Sequence, residues 1–120
     1  MLKAVALVSM VYDLCLGIGL LAAPGAVAGA FGVPPVSPPL FANLTGLFAL
    51  STGLCYTLIL KDPARWKSLL WILGPVLKGG GALLFLADHF LRHSPPVFLI
   101  FCAIDGALAL WTLFAIRRSS

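Results

Sequence analysis

The chain has 120 residues, of which 61% are hydrophobic and only 10% are charged, and its formal net charge is +4. A soluble domain of this length has too little interior to bury such an apolar share, so the composition excludes an ordinary soluble fold and indicates one small membrane domain. The positive charge does not indicate nucleic-acid binding, because that function needs the basic residues together on one soluble face.

Four apolar segments predict transmembrane helices, because about 20 residues at about 1.5 Å rise each cover a hydrocarbon core of about 30 Å. Helices are predicted because four short segments cannot close a barrel and open backbone is not tolerated in lipid. The sequence therefore predicts an all-α integral membrane four-helix bundle with up-down topology, in which residues 1–120 form a single domain. The predicted helices are roughly 4–23, 40–60, 68–87 and 97–116, with a short interfacial helix at 24–31.

The basic residues predict the orientation of these helices. Six of them lie on the side predicted to hold both termini: Lys3, Lys61, Arg65, Lys67, Arg117 and Arg118. Arg92 lies on the opposite side, so the positive-inside rule places both termini in the cytoplasm of a bacterial-type inner membrane. Residues 1–30 share a basic start and an apolar core with secretory signal peptides, but Asp13 interrupts that core and favours a retained helix.

Three ionisable residues, Asp13, Lys78 and Asp105, lie near the middle of predicted helices. Ionised groups in hydrocarbon are costly and usually face a bundle interior, so we expect Lys78 to contact one or both aspartates. Two carboxylates and one amine leave one excess negative charge. Because a buried unpaired carboxylate normally takes a proton, Asp13 or Asp105 is a candidate site of proton exchange. The structural alternative is a buried ion pair with a neutral carboxyl that fixes helix register.

Small and polar residues are predicted to share helix faces with these charges. Ser9 and Gly17 each lie four residues from Asp13, which is the spacing of one helical face. The second helix has an uncharged stripe at a similar spacing: Thr45, Ala49, Thr52 and Tyr56. Small residues let helices approach closely in lipid, so these faces should point inward. Thr52 and Tyr56 are therefore predicted ligand-binding or proton-binding residues together with the three charges.

The third predicted helix has an unusual backbone. Gly74 and Pro75 precede Lys78, and three glycines at 79–81 follow it. Proline removes a helical hydrogen bond, so a kink is predicted there. Two interpretations stay open. The glycines either allow tight packing against a neighbouring helix, or they form a bent segment whose carbonyls line a membrane cavity beside an amine.

Metal and redox sites have little support in the sequence. His89 and His93 are spaced for one metal and lie beside Asp88, but zinc requires further ligands, so interfacial histidines are the favoured interpretation. The cysteines are on three different predicted helices without a C-x-x-C motif, which favours packing roles: Cys15, Cys55 and Cys102. Nucleotide-loop, G-x-S-x-G and H-E-x-x-H motifs are also lacking, so no catalytic residue and no required cofactor is predicted.

The chain resembles the DoxX-like group of small four-helix membrane proteins. The resemblance rests on the four-span size, on the run Pro38-Pro39-Leu40-Phe41, on the glycine-spaced stretch 44–54 and on a third helix that begins after a basic turn. It implies an inner-membrane protein, and some members of the group are attached to oxidoreductases that deliver electrons to quinone. No catalytic residue follows from it.

Two functions from different classes stay open. In the first, the Asp13, Lys78 and Asp105 cluster binds a small amphipathic ligand, a lipid or a quinone-like molecule, or exchanges protons. In the second, the chain is a non-catalytic accessory subunit that docks on a larger membrane complex, such as a redox complex. Four helices also leave room for a homo-oligomer. The lipid bilayer is the partner common to both functions, and nucleic acid is a partner in neither.

Overall fold

The structure is a computed structural model that describes residues 1–35 and 37–119. Val36, in the predicted proline-rich loop, and Ser120, at the predicted cytoplasmic end, lie outside the described residues. All regular secondary structure in the described residues is helical, which confirms the all-α prediction. The helices are α1 (Leu2–Ala22), α2 (Pro24–Ala30), α3 (Leu40–Lys61), α4 (Lys67–Arg92) and α5 (Pro96–Arg118).

Helices α1, α3, α4 and α5 are each long and apolar enough to cross a membrane. The last helical residue of α4 is Arg92, five residues beyond the predicted end at 87. The helix continues past its apolar stretch and stops only at His93, whose backbone is left-handed with φ 57°. This is a common helix terminus, and Pro95 two residues later prevents the helix from continuing.

The chain divides into two compact units. The α1–α3 unit comprises Leu7–Thr57 and therefore holds most of α1, all of α2 and most of α3. The α4–α5 unit comprises Met1–Ala6 and the chain from Leu58 onward. Each unit contains one pair of long helices.

Glycines bring the backbones of α1 and α3 into contact within the α1–α3 unit. A Cβ atom on Gly17 would lie 2.6 Å from the Leu50 nitrogen and 2.8 Å from the Gly46 carbonyl oxygen. Nearer the end of α1, Asn43 Nδ2 donates to the Leu20 carbonyl at 3.0 Å and so satisfies one of the terminal carbonyls of that helix. The order of these contacts shows that α1 and α3 are antiparallel.

The α4–α5 unit is also an antiparallel pair built on small residues. A Cβ atom on Gly74 would lie 2.5 Å from Thr112 Cγ2, whereas one on Gly79 would lie 3.7 Å from Ala109 Cβ. Later residues of α4 therefore contact earlier residues of α5, as in an antiparallel pair. Without a hydrophobic driving force in lipid, helices associate mainly through such close packing. This packing fixes the faces on which Lys78 and Asp105 are placed.

Candidate functional site

Asp13 and Thr52 meet in the interior of the α1–α3 unit. Asp13 is only 5% exposed, and Thr52 Oγ1 lies 3.2 Å from Asp13 Oδ2, to which it donates. The same hydroxyl lies 2.8 Å from the Ala49 carbonyl oxygen. Because a hydroxyl has one proton, full donation to one of these acceptors excludes full donation to the other.

These two bonds fit the two protonation states of Asp13. When Asp13 is ionised, the Thr52 hydroxyl donates to the carboxylate. When Asp13 is protonated, its carboxyl donates to Thr52 Oγ1, and the Thr52 proton goes to the Ala49 carbonyl. Either form of the carboxyl can therefore share a hydrogen bond with Thr52.

Ser9 is a polar residue of this site that was not predicted as a binding residue. It is fully buried one helical turn before Asp13, and its Oγ has no hydrogen-bond partner among the described residues. A buried polar group left unsatisfied costs about 1–3 kcal/mol. The four-residue spacing from Asp13 was the sequence signal that pointed to Ser9. Tyr56, which was predicted, is fully buried one turn after Thr52.

The predicted polar stripe on α3 is wrong at Thr45. This residue is exposed, and its hydroxyl donates to the Phe41 carbonyl at 2.9 Å. Gly46 takes the buried position instead, since it forms the close approach to Gly17. A seven-residue step falls about 20° short of two full helical turns, so Thr45 is also out of line with Thr52 on a straight helix.

Lys78 is buried in the α4–α5 unit, with only 4% of the residue exposed. It ends a π-helical segment, Ile72–Lys78, that stands where the sequence predicted a kink. The Gly79 N–H donates to the Gly74 carbonyl five residues earlier, as π geometry requires. Pro75 has no N–H, so one carbonyl in the preceding turn lacks its helical donor. Segments of this kind are frequent at functional sites.

Asp105 lies beside the same stretch of α4. Its Oδ2 is 3.5 Å from the position that a Cβ atom on Gly81 would occupy, and the residue is half-buried. Because Gly81 is three residues after Lys78, the two positions are neighbours on the helix surface. Helix α5 thus places a carboxylate against the glycine-rich face that follows the amine. Contact of Lys78 with either aspartate stays a prediction.

The two interpretations of the α4 glycines apply to different positions. Gly74 serves packing, because fully buried Thr112 covers it and would clash with any side chain there. Apart from its own helix, no described atom lies within 4 Å of a Cβ placed on Gly80, and Gly79 has only an ordinary contact with Ala109. Gly80 is exposed, and a two-residue step places it about 200° around the helix from Lys78, so it serves neither packing nor the face of the amine. Thr112 itself was not predicted as a site residue.

The histidines belong to the end of α4. His89 Nδ1 lies 3.0 Å from the Ser94 carbonyl oxygen, so this nitrogen carries the proton and donates. Asp88 accepts from the Ser94 hydroxyl and from Arg92 Nη1, the latter at 3.2 Å, and His93 is the left-handed terminal residue. Residues 1–35 and 37–119 contain no group of three or more His, Cys, Asp or Glu positioned for a metal. The cysteines are free thiols: Cys15, Cys55 and Cys102.

Comparison with known proteins gives no match to any protein-family model, any curated protein or any solved structure. The resemblance to the DoxX-like group therefore stays a prediction from the sequence.

Proposed function

We propose that the chain is a small membrane protein that binds the polar head of an amphipathic ligand, a lipid or a quinone-like molecule, beside Lys78. The observation that carries this proposal is the burial of the Lys78 amine at the end of a proline-containing π segment. Ionisable groups at this depth are expensive and usually serve a function. The irregular backbone next to it is typical of helices that line a cavity.

The chemistry of the α4 face fits a polar-headed ligand. An ammonium offers three donors, which can hold a carbonyl or an anionic oxygen. Gly81, three residues after Lys78 and on a neighbouring position of the helix surface, has no side chain, so a ligand can approach the backbone there. Apolar side chains then hold the tail, as in most small-molecule sites. No step requires a bound cofactor.

The aspartates support a role in proton exchange at the same protein. Asp13 has hydrogen bonds available in both protonation states through Thr52 and the Ala49 carbonyl. Asp105 lies along the glycine-rich face of α4, where a ligand beside Lys78 would come close to it. A quinone-like head takes up protons when it is reduced, and a carboxyl near the head can donate one of them.

We place the protein in a bacterial-type inner membrane with both termini in the cytoplasm. Four helices of membrane-spanning length support the membrane location. The six basic residues on the side of the termini, against Arg92 alone on the other side, support the orientation. The resemblance to the DoxX-like group also implies an inner-membrane location.

The test is extraction of copurifying lipids and quinones from the full-length protein, followed by mass spectrometry. Lys78→Met keeps most of the side-chain bulk and removes the charge, while Lys78→Arg keeps the charge. Lys61→Met, at an exposed position, is the matched control for removal of one lysine. We expect Lys78→Met to lose a bound species that the parent, Lys78→Arg and Lys61→Met retain.

Two outcomes would contradict the ligand proposal. If Lys78→Met folds and retains every copurifying species, the amine binds no ligand. If it neither folds nor assembles, while Lys78→Arg does both, the charge has a structural role. In either case the alternative, an accessory subunit or homo-oligomer whose helices dock on other helices, gains support. Size-exclusion chromatography and crosslinking in membranes then identify which assembly is lost.

A further inference from the structure

A basic groove lies at the end of the α4–α5 unit that holds the start of α1 and the end of α5. Its volume is about 460 Å³, and the cations Lys3 and Arg118 line it together with Leu2, Pro63 and Ala115. We propose that this groove binds the phosphate of an anionic phospholipid headgroup. The site is separate from the one proposed beside Lys78 and does not depend on it.

Charge complementarity is the first observation that supports an anionic ligand. This end of the unit carries six basic side chains, Lys3, Lys61, Arg65, Lys67, Arg117 and Arg118, against a single acid, Asp62. Asp62 Oδ1 already accepts the Arg65 backbone N–H at 3.2 Å. Basic clusters that flank transmembrane helices attract anionic lipids, and the guanidinium fork of Arg118 matches phosphate geometry.

The surface below the groove supports a lipid as the source of the phosphate. Phe114 and Leu110 lie one and two turns before Arg118 on α5 and are 51% and 71% exposed. The Arg118 guanidinium lies 5.6 Å from the centre of the Phe114 ring. A phospholipid with its phosphate between Lys3 and Arg118 can extend an acyl chain along this apolar strip. A free phosphate ion would leave the strip unused.

The groove lies at the ends of the helices, which is where a lipid headgroup is expected in a membrane. Helix α1 begins at Leu2 and α5 ends at Arg118, so the groove lies at helix ends. Trp66, whose ring lies 5.2 Å from the Arg65 guanidinium, is at the adjacent start of α4. Tryptophan is enriched at membrane–water interfaces. Lys67 Nζ donates to the Ser119 carbonyl at 3.5 Å and links the start of α4 to the end of α5 beside the groove.

The experiment is native mass spectrometry of the full-length protein in neutral detergent, titrated with phosphatidylglycerol or phosphatidylcholine. We expect a saturable preference for phosphatidylglycerol. Lys3→Gln and Arg118→Gln should each weaken its binding about fivefold, which corresponds to about 1 kcal/mol per basic residue near an anionic surface. Lys61→Gln removes one charge at the same end but outside the groove and should leave the affinity unchanged. Circular dichroism confirms that each variant is folded.

Three results would overturn the proposal. Equal binding of the two lipids shows that the groove does not select an anionic headgroup. An equal loss in Lys61→Gln shows that only diffuse surface charge attracts the lipid. Displacement of phosphatidylglycerol by inorganic phosphate at constant ionic strength shows that the groove is a free-anion site. Because Lys78 is intact in all these variants, failure here leaves the proposed function of the Lys78 site unaffected.

Discussion

Thr52 Oγ1 lies 3.2 Å from Asp13 Oδ2, and this hydrogen bond joins residues 39 positions apart in the chain. It is the polar counterpart of the glycine contact between α1 and α3 one turn away. Interhelical hydrogen bonds of this kind help to specify which faces of two helices meet in lipid. The bond therefore predicts a measurable effect on the stability of this helix pair.

Replacing Thr52 by Val should lower the free energy of unfolding by about 1–2 kcal/mol, because Asp13 loses a donor in a buried place. Thr57→Val is the matched control. Its hydroxyl donates in a similar way to a backbone carbonyl, that of Leu54 at 2.6 Å, and to no carboxylate of residues 1–35 and 37–119. Unfolding in increasing sodium dodecyl sulfate measures both. Equal losses in the two variants would show that the Asp13 bond contributes nothing.

The α4 glycines should respond differently to the same substitution. Gly74→Ala places a methyl 2.5 Å from Thr112 Cγ2, and overpacking of this kind costs about 1–3 kcal/mol. Gly80→Ala meets no described atom of another helix within 4 Å, so it should stabilise the helix by up to about 1 kcal/mol. Thermal unfolding in detergent measures the difference. A destabilised Gly80→Ala variant would mean that this position is occupied in the protein.

Gly17→Ala should be more harmful than Gly74→Ala, because its methyl would meet backbone rather than a side chain. The Leu50 nitrogen lies 2.6 Å from the new Cβ, and only separation of the two helices can relieve the clash. We expect a loss of about 3 kcal/mol. Gly29→Ala is the control and should not destabilise the protein, because no described atom outside its own helix lies within 4 Å of a Cβ placed there. Crosslinking between α1 and α3 reports the separation directly.

Much of this architecture follows from the sequence because its physical causes are local. Apolar length and the prolines between segments give the four long helices, and Asp13 and Lys78 were predicted to be buried, as observed. The π form of Ile72–Lys78 did not follow, since Pro75 predicts only that the α pattern is broken. The exposure of Thr45 did not follow either, because it depends on Gly46 and its contact with Gly17 on another helix.

The predicted orientation can be tested by cysteine labelling in intact cells. In a background without native cysteines, Lys3→Cys and Arg118→Cys should react with an impermeant maleimide only after the membrane is opened, because both ends are predicted to be cytoplasmic. His93→Cys, at the opposite end of α4, should react from outside and serves as the positive control. Labelling of either terminal position in unopened cells would reverse or disprove the topology.

The predicted contact of Lys78 with Asp13 or Asp105 can be tested by double-mutant cycles. Lys78→Met is combined with Asp105→Asn and, separately, with Asp13→Asn, and the free energy of unfolding is measured for each single and double variant. Contact between the charges predicts a coupling of about 0.5–3 kcal/mol in at least one cycle. Additive losses in both cycles would mean that Lys78 contacts neither Asp105 nor Asp13.

The π segment also sets how the two α-helical parts of α4 are rotated relative to each other about the helix axis. Its bonds join residues five apart instead of four, so it acts as one extra residue within an otherwise regular helix. Lys67–Trp71 and Gly79–Arg92 are consequently offset by one residue, or about 100° of rotation, from the alignment of an unbroken α-helix. If the extra residue moved along the helix, one part of α4 would turn about its axis while the other stayed fixed. Movement of the extra residue toward Arg92 would bring Lys78 into the alignment of Lys67–Trp71 and turn its side chain to another face.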